Sequence, residues 1–514
     1  MKIKIFFLLI FIFLIGEVGL SQITFQKSYS SFGGYGVSVQ QTLDEGYIIV
    51  GWISENMGEV NICLIKTDKY GDTLWVKKFA DGIGYSVQQT SDGGYIIGGK
   101  TMYSSTDGLY IIKTDFTGNI IWSKIYNTHF FNEGFSLQET TDGGYVIAGS
   151  VVTNSSNDYK VYVIKINNIG DTLWTKSYGD TTVSPDYGYS IKQTNDNGYI
   201  ITGTFDDSVN IGTDVYLIKT DNNGNLLWSK TYGGTSNEWG YDVQQTRDGG
   251  FIIAGVSISF SLGWSGYLIR TDEYGNVIWT KIYSEIDNSM FFKCIRETND
   301  GGFIVAGYDG YDPLNRDAFL VKIDDFGNVR WTKFSGDSGS KEGACIQQTN
   351  DGGYIITGGE NSIGYESLYL IKTDDNGNSG CNQHIKNINV ISPSTQIMDP
   401  ATQVFSFTNT TIVSPNPAVS RGCSIKIFCF SKGISDNGFE IFPNPSNNYF
   451  TIYSPYFTIN KIEIFNTLGE IVYLNEMVNQ ESKEIFSALT SGIYFVNVTT
   501  NKNKLIEKLI IVKH

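Results

Sequence analysis

Histidine is almost missing: 3 in 514 residues, at His129, His384 and His514. A histidine-based catalytic triad or a histidine-rich metal site is therefore a poor starting point, and no cofactor is expected. Positive charge is also short, with 37 Lys and Arg against 53 Asp and Glu, a formal net charge of −16. Nucleic acid and anionic membrane surfaces both call for a basic face, so neither is an expected partner. Beyond the extreme N-terminus no apolar run approaches the ~20 residues needed to span a bilayer, which leaves no integral membrane segment to expect. Proline is sparse at 9 residues against 57 Gly, and the 41% hydrophobic and 14% aromatic content is that of a globular protein.

The N-terminus reads as an export signal. "MKIKIFFLLIFIFLIGEVGLSQ" places Lys2 and Lys4 before an apolar run from Ile5 to Ile15, then small residues Gly19 and Ser21 ahead of a cut before Gln22. That pattern is a secretory signal peptide over residues 1–21. Six cysteines in an exported chain permit disulfides. Cys63, Cys294 and Cys345 fall inside expected strands and read as buried thiols, whereas Cys381, Cys423 and Cys429 lie in an irregular segment. Cys381 bridged to Cys423 or Cys429, with Cys381–Cys429 as the working choice, is the expected disulfide.

A repeat dominates what is present. A marker Trp recurs at Trp75, Trp122, Trp174, Trp228, Trp279 and Trp331, in steps of 47 to 54 residues. A T-x-D-G-G-Y segment begins near Thr42, Thr90, Thr140, Thr194, Thr246, Thr298 and Thr349, with small departures such as Asp44-Glu45-Gly46 and Asp196-Asn197-Gly198. Each unit holds four short runs rich in Val, Ile, Tyr, Thr and Trp, bounded by Gly, Asp and Asn. Those are strand signals, and no copy has room for a helix of about ten residues. The "DGG" and "DxxGN" stretches supply residues that tolerate positive φ in tight hairpins. Four antiparallel strands per copy predict the blades of a β-propeller.

The seventh copy stops at Cys381 without its Trp strand, while "ITFQKSY" (Ile23–Tyr29) stands alone at the front with Phe25 at the Trp position and Lys27 at the recurring Lys. The two irregularities cancel if the front strand completes the seventh copy. The expected fold is thus all-β: a seven-bladed propeller over residues 22–380, closed by an N-terminal strand. An open blade would leave a strand edge unpaired, and burying Phe25 alone contributes ~1.5–3 kcal/mol.

"TDxxGNxxxW" resembles the Asp-box of sialidase propellers and is similar to the repeat of quinoprotein-like propellers, with the Asp-to-Gly spacing one residue off in each case. Both likenesses imply a blade and neither carries a function across. Arg247, Arg270, Arg296, Arg316 and Arg330 are scattered through copies five and six, and no haem-binding motif is present. The Asp of "DxxGN" is read as a hairpin residue rather than a calcium ligand, because the loop lacks alternating acidic ligands.

Residues common to all copies serve the scaffold, so a site is sought where copies differ. The longer loops between second and third strands, and between sheets, share one face. They carry Trp52, Tyr187, Trp239, Trp264, Tyr311 and Asp312, a set suited to a glycan or protein ligand by stacking and polar contact. The plainer reading is that Trp239 and Trp264 plug their own loops.

Residues 381–438 are poor in charge and rich in Ser, Thr and Asn; they read as an extended linker whose β-branched content allows a few strands. Residues 439–514 alternate strands and turns as a small β-sandwich. This stretch resembles the type A C-terminal sorting domain of the Bacteroidota type IX secretion system. The matching features are Pro443-Asn444-Pro445, Asn466-x-x-Gly469 with Ile471-Val472, Leu489-x-x-Gly492-Ile493-Tyr494, and "KLIIVK" with Lys508. The repeats with "GNSGCNQ" also look like a recurrent cargo bearing this tail. The resemblance implies the secretion machinery as a partner, export, and attachment to or release from the outer cell surface. The functional expectation is a non-catalytic binding or adhesion module; the alternative is a glycoside-hydrolase-like enzyme using loop carboxylates, and a third class is a purely structural surface component.

Overall fold

A computed structural model describes residues 22–511 apart from 31–32, 55–58, 80–81, 103–107, 128–131, 153–157, 181–184, 207–211, 262, 286–287, 313, 337–339, 363–364, 381–382, 401, 406–410, 414–418, 422–425, 431–439, 443–448, 454–458, 467–469, 481, 487–488, 490–491 and 501–503. The signal segment lies outside the described residues. Among the described residues every regular element is a strand.

Each repeat folds as an antiparallel four-stranded sheet, and the turns explain why. Sheet one runs Gly34–Gln41, Tyr47–Ser54, Val60–Thr67 and Thr73–Phe79. Its first hairpin closes through Thr42 N–H to Gly46 O at 2.9 Å and Glu45 N–H to Thr42 O at 2.9 Å. The residue after the Asp takes positive φ in every copy: Gly93, Gly143, Gly249, Gly301 and Gly352 do so freely, whereas Glu45 (φ 66°) and Asn197 (φ 63°) do so with a side chain. The hairpin Asp then receives a buried cation from the third strand of its own sheet. Lys66–Asp44, Lys113–Asp92, Lys165–Asp142, Lys219–Asp196, Lys322–Asp300 and Lys372–Asp351 pair at 2.8 to 2.9 Å, and Arg270–Asp248 at 2.5 Å. Partial burial pushes these carboxyls upward, but the Lys or Arg and Thr hydrogen bonds outweigh it, holding Asp92, Asp142, Asp248 and Asp300 down to about 2.

The second hairpin, "DxxGN", has its Asp turned onto its own loop. Asp68 Oδ1 accepts the Tyr70 and Asp72 amides at 2.9 and 2.8 Å, which is a turn-capping role. Its glycine is also a docking point between sheets. A Cβ on Gly118, Gly170, Gly224, Gly275, Gly327 or Gly377 would lie 2.4 to 3.1 Å from the ring of Trp75, Trp122, Trp174, Trp228, Trp279 or Trp331 of the preceding copy.

Sheet seven is assembled from distant parts of the chain. Ser340–Gln348, Tyr354–Ser362 and Tyr365–Thr373 come from the seventh copy, and the fourth strand is Phe25–Ser30. Register runs from Phe25 opposite Lys372 to Tyr29 opposite Leu368. Phe25 is 3% exposed and its ring lies where a Trp lies elsewhere: a Cβ on Gly71 would meet it at 2.7 Å. Lys27 pairs with Asp72 at 2.6 Å, and Tyr29 donates its hydroxyl to Gly71 O at 2.6 Å, as Tyr126 does to Gly170 O.

Hydrophobic burial lies between sheets rather than within them. Ile48, Val50, Ile62 and Leu64 of sheet one pack with Val87, Tyr95 and Ile97 of sheet two. Equivalent clusters join each later consecutive pair, and Phe25, Ile355, Leu368 and Leu370 of sheet seven pack with Tyr47, Ile49 and Ile65 of sheet one.

The segment after the repeats is a belt. It adds a fifth, outermost strand to each sheet, visiting them in reverse order. Gln383–His384 pairs with sheet six, Asn389–Ile391 with five, Gln396–Met398 with four, Gln403–Phe405 with three, Thr411–Val413 with two and Val419–Arg421 with one. Lys426–Phe430 then pairs with Phe25–Ser30, which leaves the N-terminal strand between two partners in sheet seven. The few strands allowed by β-branched content are therefore seven among the described residues, and the segment is not a free tether. The reason is the exposed edge of each fourth strand, whose unpaired N–H and C=O groups a three-residue extended segment satisfies.

C-terminal to the belt, Glu440–Phe442, Tyr449–Tyr453 and Ser482–Phe486 form one sheet. Ile471–Gln480, Ile459–Phe465, Gly492–Thr500 and Lys504–Ile511 form a second. Ile452 of the first joins Ile462, Ile464, Val496 and Val498 of the second in a core of its own.

Candidate functional site

The first strands of all seven sheets wall a cavity of about 760 Å³. Its walls follow from one position of each copy, the fifth residue before the hairpin Thr, which the first strand carries as a bulge. Tyr85, Phe135, Tyr189 and Tyr241 occupy it in sheets two to five, Lys293 in sheet six, and the smaller Ala344 and Val37 in sheets seven and one. The four aromatics contact one another in series, with ring centroids 5.1, 5.4 and 5.4 Å apart. The Lys293 ammonium continues the series, 3.6 Å from the Tyr241 ring centroid. At this position one side of the cavity is thus an aromatic wall and the side facing it carries Val37 and Ala344, with Tyr35 and Trp52 of sheet one lining the space beyond them.

At the end nearer the uniform turns, glutamines lock neighbouring sheets. Gln40 Oε1 accepts the Gln89 amide at 2.6 Å, Gln88 that of Glu139, Gln138 that of Gln193 and Gln244 that of Glu297, each at 2.8 Å. Gln347 of sheet seven accepts the Gln41 amide of sheet one at 2.7 Å. Sheets four and six break this series with Lys192 and Arg296.

Those two cations surround Asp242 of sheet five. Asp242 binds Arg296 at 2.5 Å, the Ser190 hydroxyl at 2.9 Å and the Ile295 amide at 3.0 Å. Burial alone would raise this carboxyl; Arg296 and Lys192 more than offset it and hold it low. Burial pushes Lys192 down, with Asp242 pulling the other way. Lys293 is brought down to about 8 by burial, which the distant Glu342 only partly offsets. Glu342 is itself held by Arg316 and by the Tyr35 hydroxyl at 3.1 Å.

The loop residues expected to form a binding face divide into three groups. Trp239 and Trp264 stack on each other at 4.9 Å, and the stack continues through Phe291 at 5.4 Å to Tyr308 at 4.8 Å. They form one ladder across sheets five and six, with the Arg316 guanidinium 4.8 Å from the Tyr308 ring centroid. Trp52 stands opposite Tyr35 in sheet one and lines the cavity. Tyr187 packs beside Tyr189 at 6.1 Å, nearly parallel, and so supports the aromatic wall from behind. Tyr311 is 71% exposed, and Asp312 caps its own turn by accepting the Leu314 amide at 3.0 Å. Tyr85, Phe135, Tyr189, Tyr241, Lys192 and Lys293 lie in first strands, which a comparison of loops between copies does not reach. The signal was available: the pair before each hairpin Thr reads Gln-Gln in copies one, two, five and seven but Lys192-Gln193 and Arg296-Glu297 in copies four and six.

Cys63, Cys294 and Cys345 are free thiols in strands, as expected. The Cys294 and Cys345 sulfurs lie 3.7 Å apart at the cavity wall, and the hydrogen bond from Cys294 together with nearby Arg296 holds the Cys345 thiol low. Of the expected disulfide, Cys381 lies outside the described residues, while Cys429 stands opposite Lys27 in the last belt strand. In the C-terminal unit, Pro443, Asn444, Pro445 and Gly469 lie outside the described residues; Gly492 opens a strand, Tyr494 is buried in the core, and Lys508 pairs with Phe495. Asn466 accepts the Glu470 amide at 3.0 Å.

Residues 440–512 match the family described as the secretion system C-terminal sorting domain. The chain carries a type IX sorting domain at its C-terminus, and it is cargo exported to the cell surface or the extracellular space. It is 36% identical over 74 residues to the ulvan lyase NLR42 of Nonlabens ulvanivorans, a match covering 14% of each chain. Among solved structures, a eukaryotic initiation factor aligns over 90% of this chain and 98% of its own, at 13% identity and a TM-score of 0.32. The Bombyx mori GH32 β-fructofuranosidase BmSUC1 aligns over 74% of this chain and 85% of its own, at 12% identity and a TM-score of 0.29. These two likenesses are too weak to bear on fold or function.

Proposed function

We propose that the seven sheets are blades of a closed seven-bladed β-propeller, and that this propeller is a secreted binding module with its ligand seat in the axial cavity. Residues 1–21 are the cleaved signal, 22–380 the blades, 381–438 their belt and 439–514 the sorting domain. Closure is supported by the seam between sheets seven and one, which repeats the contacts of the others: Phe25 on Gly71, Tyr29 on Gly71 O and Gln347 on the Gln41 amide.

The observation that carries the binding reading is the cavity lined by every first strand, with a continuous aromatic wall on one side. Aromatic faces at that spacing suit the apolar faces of sugar rings. Trp52 and the Trp239–Trp264 ladder extend the surface toward the variable loops, where Tyr311 and Asp312 stand at the margin. The rival hydrolase requires a carboxyl held protonated and within reach of substrate. Among the described residues the raised carboxyls owe it first to burial: Asp186, to about 7, and Asp309, to about 6, are almost wholly shut off from solvent, and Asp68 is taken up by the amides of its own hairpin. Asp242 and Glu342, which do line the cavity, are committed to Arg296 and Arg316.

The test is a glycan array probed with the secreted protein and with its Tyr189→Ala/Tyr241→Ala variant, alongside turnover assays on labelled glycosides. Binding lost in the variant without turnover is the expected result; turnover would replace this reading with the enzymatic one.

A further inference from the structure

We propose that the axial cavity selects an anionic carbohydrate, a sugar bearing a carboxylate or sulfate, with the charge held by Lys192 and Lys293 and the ring laid against Tyr189 and Tyr241. This rests on the binding-module reading and names its ligand class.

The first support is where the repeat is broken. In five of seven copies the second residue before the hairpin Thr is a Gln, and each of those accepts an amide of the next sheet. Sheets four and six place Lys192 and Arg296 there, and neither side chain has a carbonyl to offer. Four residues before the hairpin Thr, Ser38, Ser86, Ser136 and Ser190 give way to Asp242 in sheet five. Five residues before it, the aromatic series gives way to Lys293 in sheet six. Four charged departures therefore fall in three consecutive sheets and converge on one cavity. Arg296 regains its hold on the neighbouring sheet through Asp242, whereas Lys192 gives up the glutamine contact and Lys293 the aromatic one without an ion pair in return.

The second support is charge balance. The whole chain carries −16, yet the cavity is lined by three cations, Lys192, Lys293 and Arg296, against two carboxylates, Asp242 and Glu342. Both carboxylates are taken, Asp242 by Arg296 and Glu342 by Arg316. Among the described residues neither lysine ammonium forms an ion pair with a carboxylate; Lys293 rests against the rings of Tyr241 and Tyr308, at 3.6 and 5.8 Å. A partly buried cation without an ion-pair partner carries a desolvation cost, and an anionic ligand supplies the missing partner. Neighbouring aromatic faces add the stacking a sugar ring needs. A small inorganic anion alone would leave that wall unused, so the ligand combines charge with a ring.

The experiment is titration calorimetry on the secreted protein with four probes: a tetragalacturonate, a sulfated galactan tetrasaccharide, neutral cellotetraose and inorganic sulfate. The anionic oligosaccharides are expected to bind in a salt-sensitive manner, and cellotetraose and sulfate much more weakly. The preference of one anionic arm over the other assigns carboxylate or sulfate. Lys192→Gln restores the residue found in five other copies, so its melting temperature is expected to hold or rise. The same variant should bind the preferred anionic probe at least about tenfold more weakly, the size of one lost charge-assisted hydrogen bond. Lys293→Met should behave alike. Cellotetraose binding as tightly as the charged probes, or unchanged affinity in both variants, overturns the anionic assignment and leaves the binding module standing. Silence from all four probes overturns both.

Discussion

The two ends of each sheet follow opposite rules. At the uniform turns, seven copies of one hairpin carry the same carboxylate-to-cation staple, varied only from Lys to Arg at Arg270. Along the first strand, a few ångströms away, the same seven copies diverge into Tyr, Phe, Lys, Val and Ala at one position. Where every copy must do the same mechanical job, the residue recurs. Where the copies share one enclosed space, each need supply only part of a surface, and the departures are the informative residues.

The severest way to break the uniform side is to remove a strand. Deleting Ile23–Tyr29 strips sheet seven of its fourth strand and also orphans the last belt strand, which pairs with the same segment. The expected product is unfolded or aggregated protein by size-exclusion chromatography; a soluble monomer with unchanged melting would contradict the fold. Next in size is Gly377→Ala. The Cβ would meet the Trp331 ring at 2.4 Å on a residue with φ of +76°, so both clash and backbone strain apply. A loss of about 2–4 kcal/mol is expected from chemical denaturation.

Acid tests the staples together. Asp92, Asp142, Asp248 and Asp300 titrate in the fold at about 2, below the usual ~3.9 of an unfolded Asp. Their contribution is therefore present above pH ~4 and lost as pH falls through about 2. The urea midpoint should decline over that window, and Asp92→Asn should flatten the decline. Because these carboxylates are about half exposed, each accounts for only part of the effect. The smallest effect is a gain. Glu45 adopts the left-handed backbone that glycine takes at the same place in five other copies. Glu45→Gly should stabilise by about 1 kcal/mol, read as a higher denaturant midpoint, with only the exposed Lys69 pair lost.

Much of the scaffold was legible because its signals are long and repeated. The Trp spacing, the hairpin Asp-Gly pairs and the displaced Phe25 strand together anticipate the strand order of all seven sheets. The belt was not, since its strands are two to five residues long, too short for any alternation to register. In hindsight its strand starts at 383, 389, 396, 403, 411, 419 and 426 carry a period of six to eight residues. The cavity escaped for a different reason. Tyr85, Phe135, Tyr189 and Tyr241 read as ordinary strand aromatics until the first strands are known to face one space. Trp239 and Trp264, chosen from loops, are brought together, but as a ladder that packs on itself.

Amide hydrogen exchange of the secreted protein, resolved by mass spectrometry, tests the closed ring most directly. A peptide covering Phe25–Ser30 is expected to be as strongly protected as the equivalent fourth strand Leu226–Gly233 of sheet four. Rapid exchange at Phe25–Ser30 while Leu226–Gly233 stays protected would contradict the closed ring.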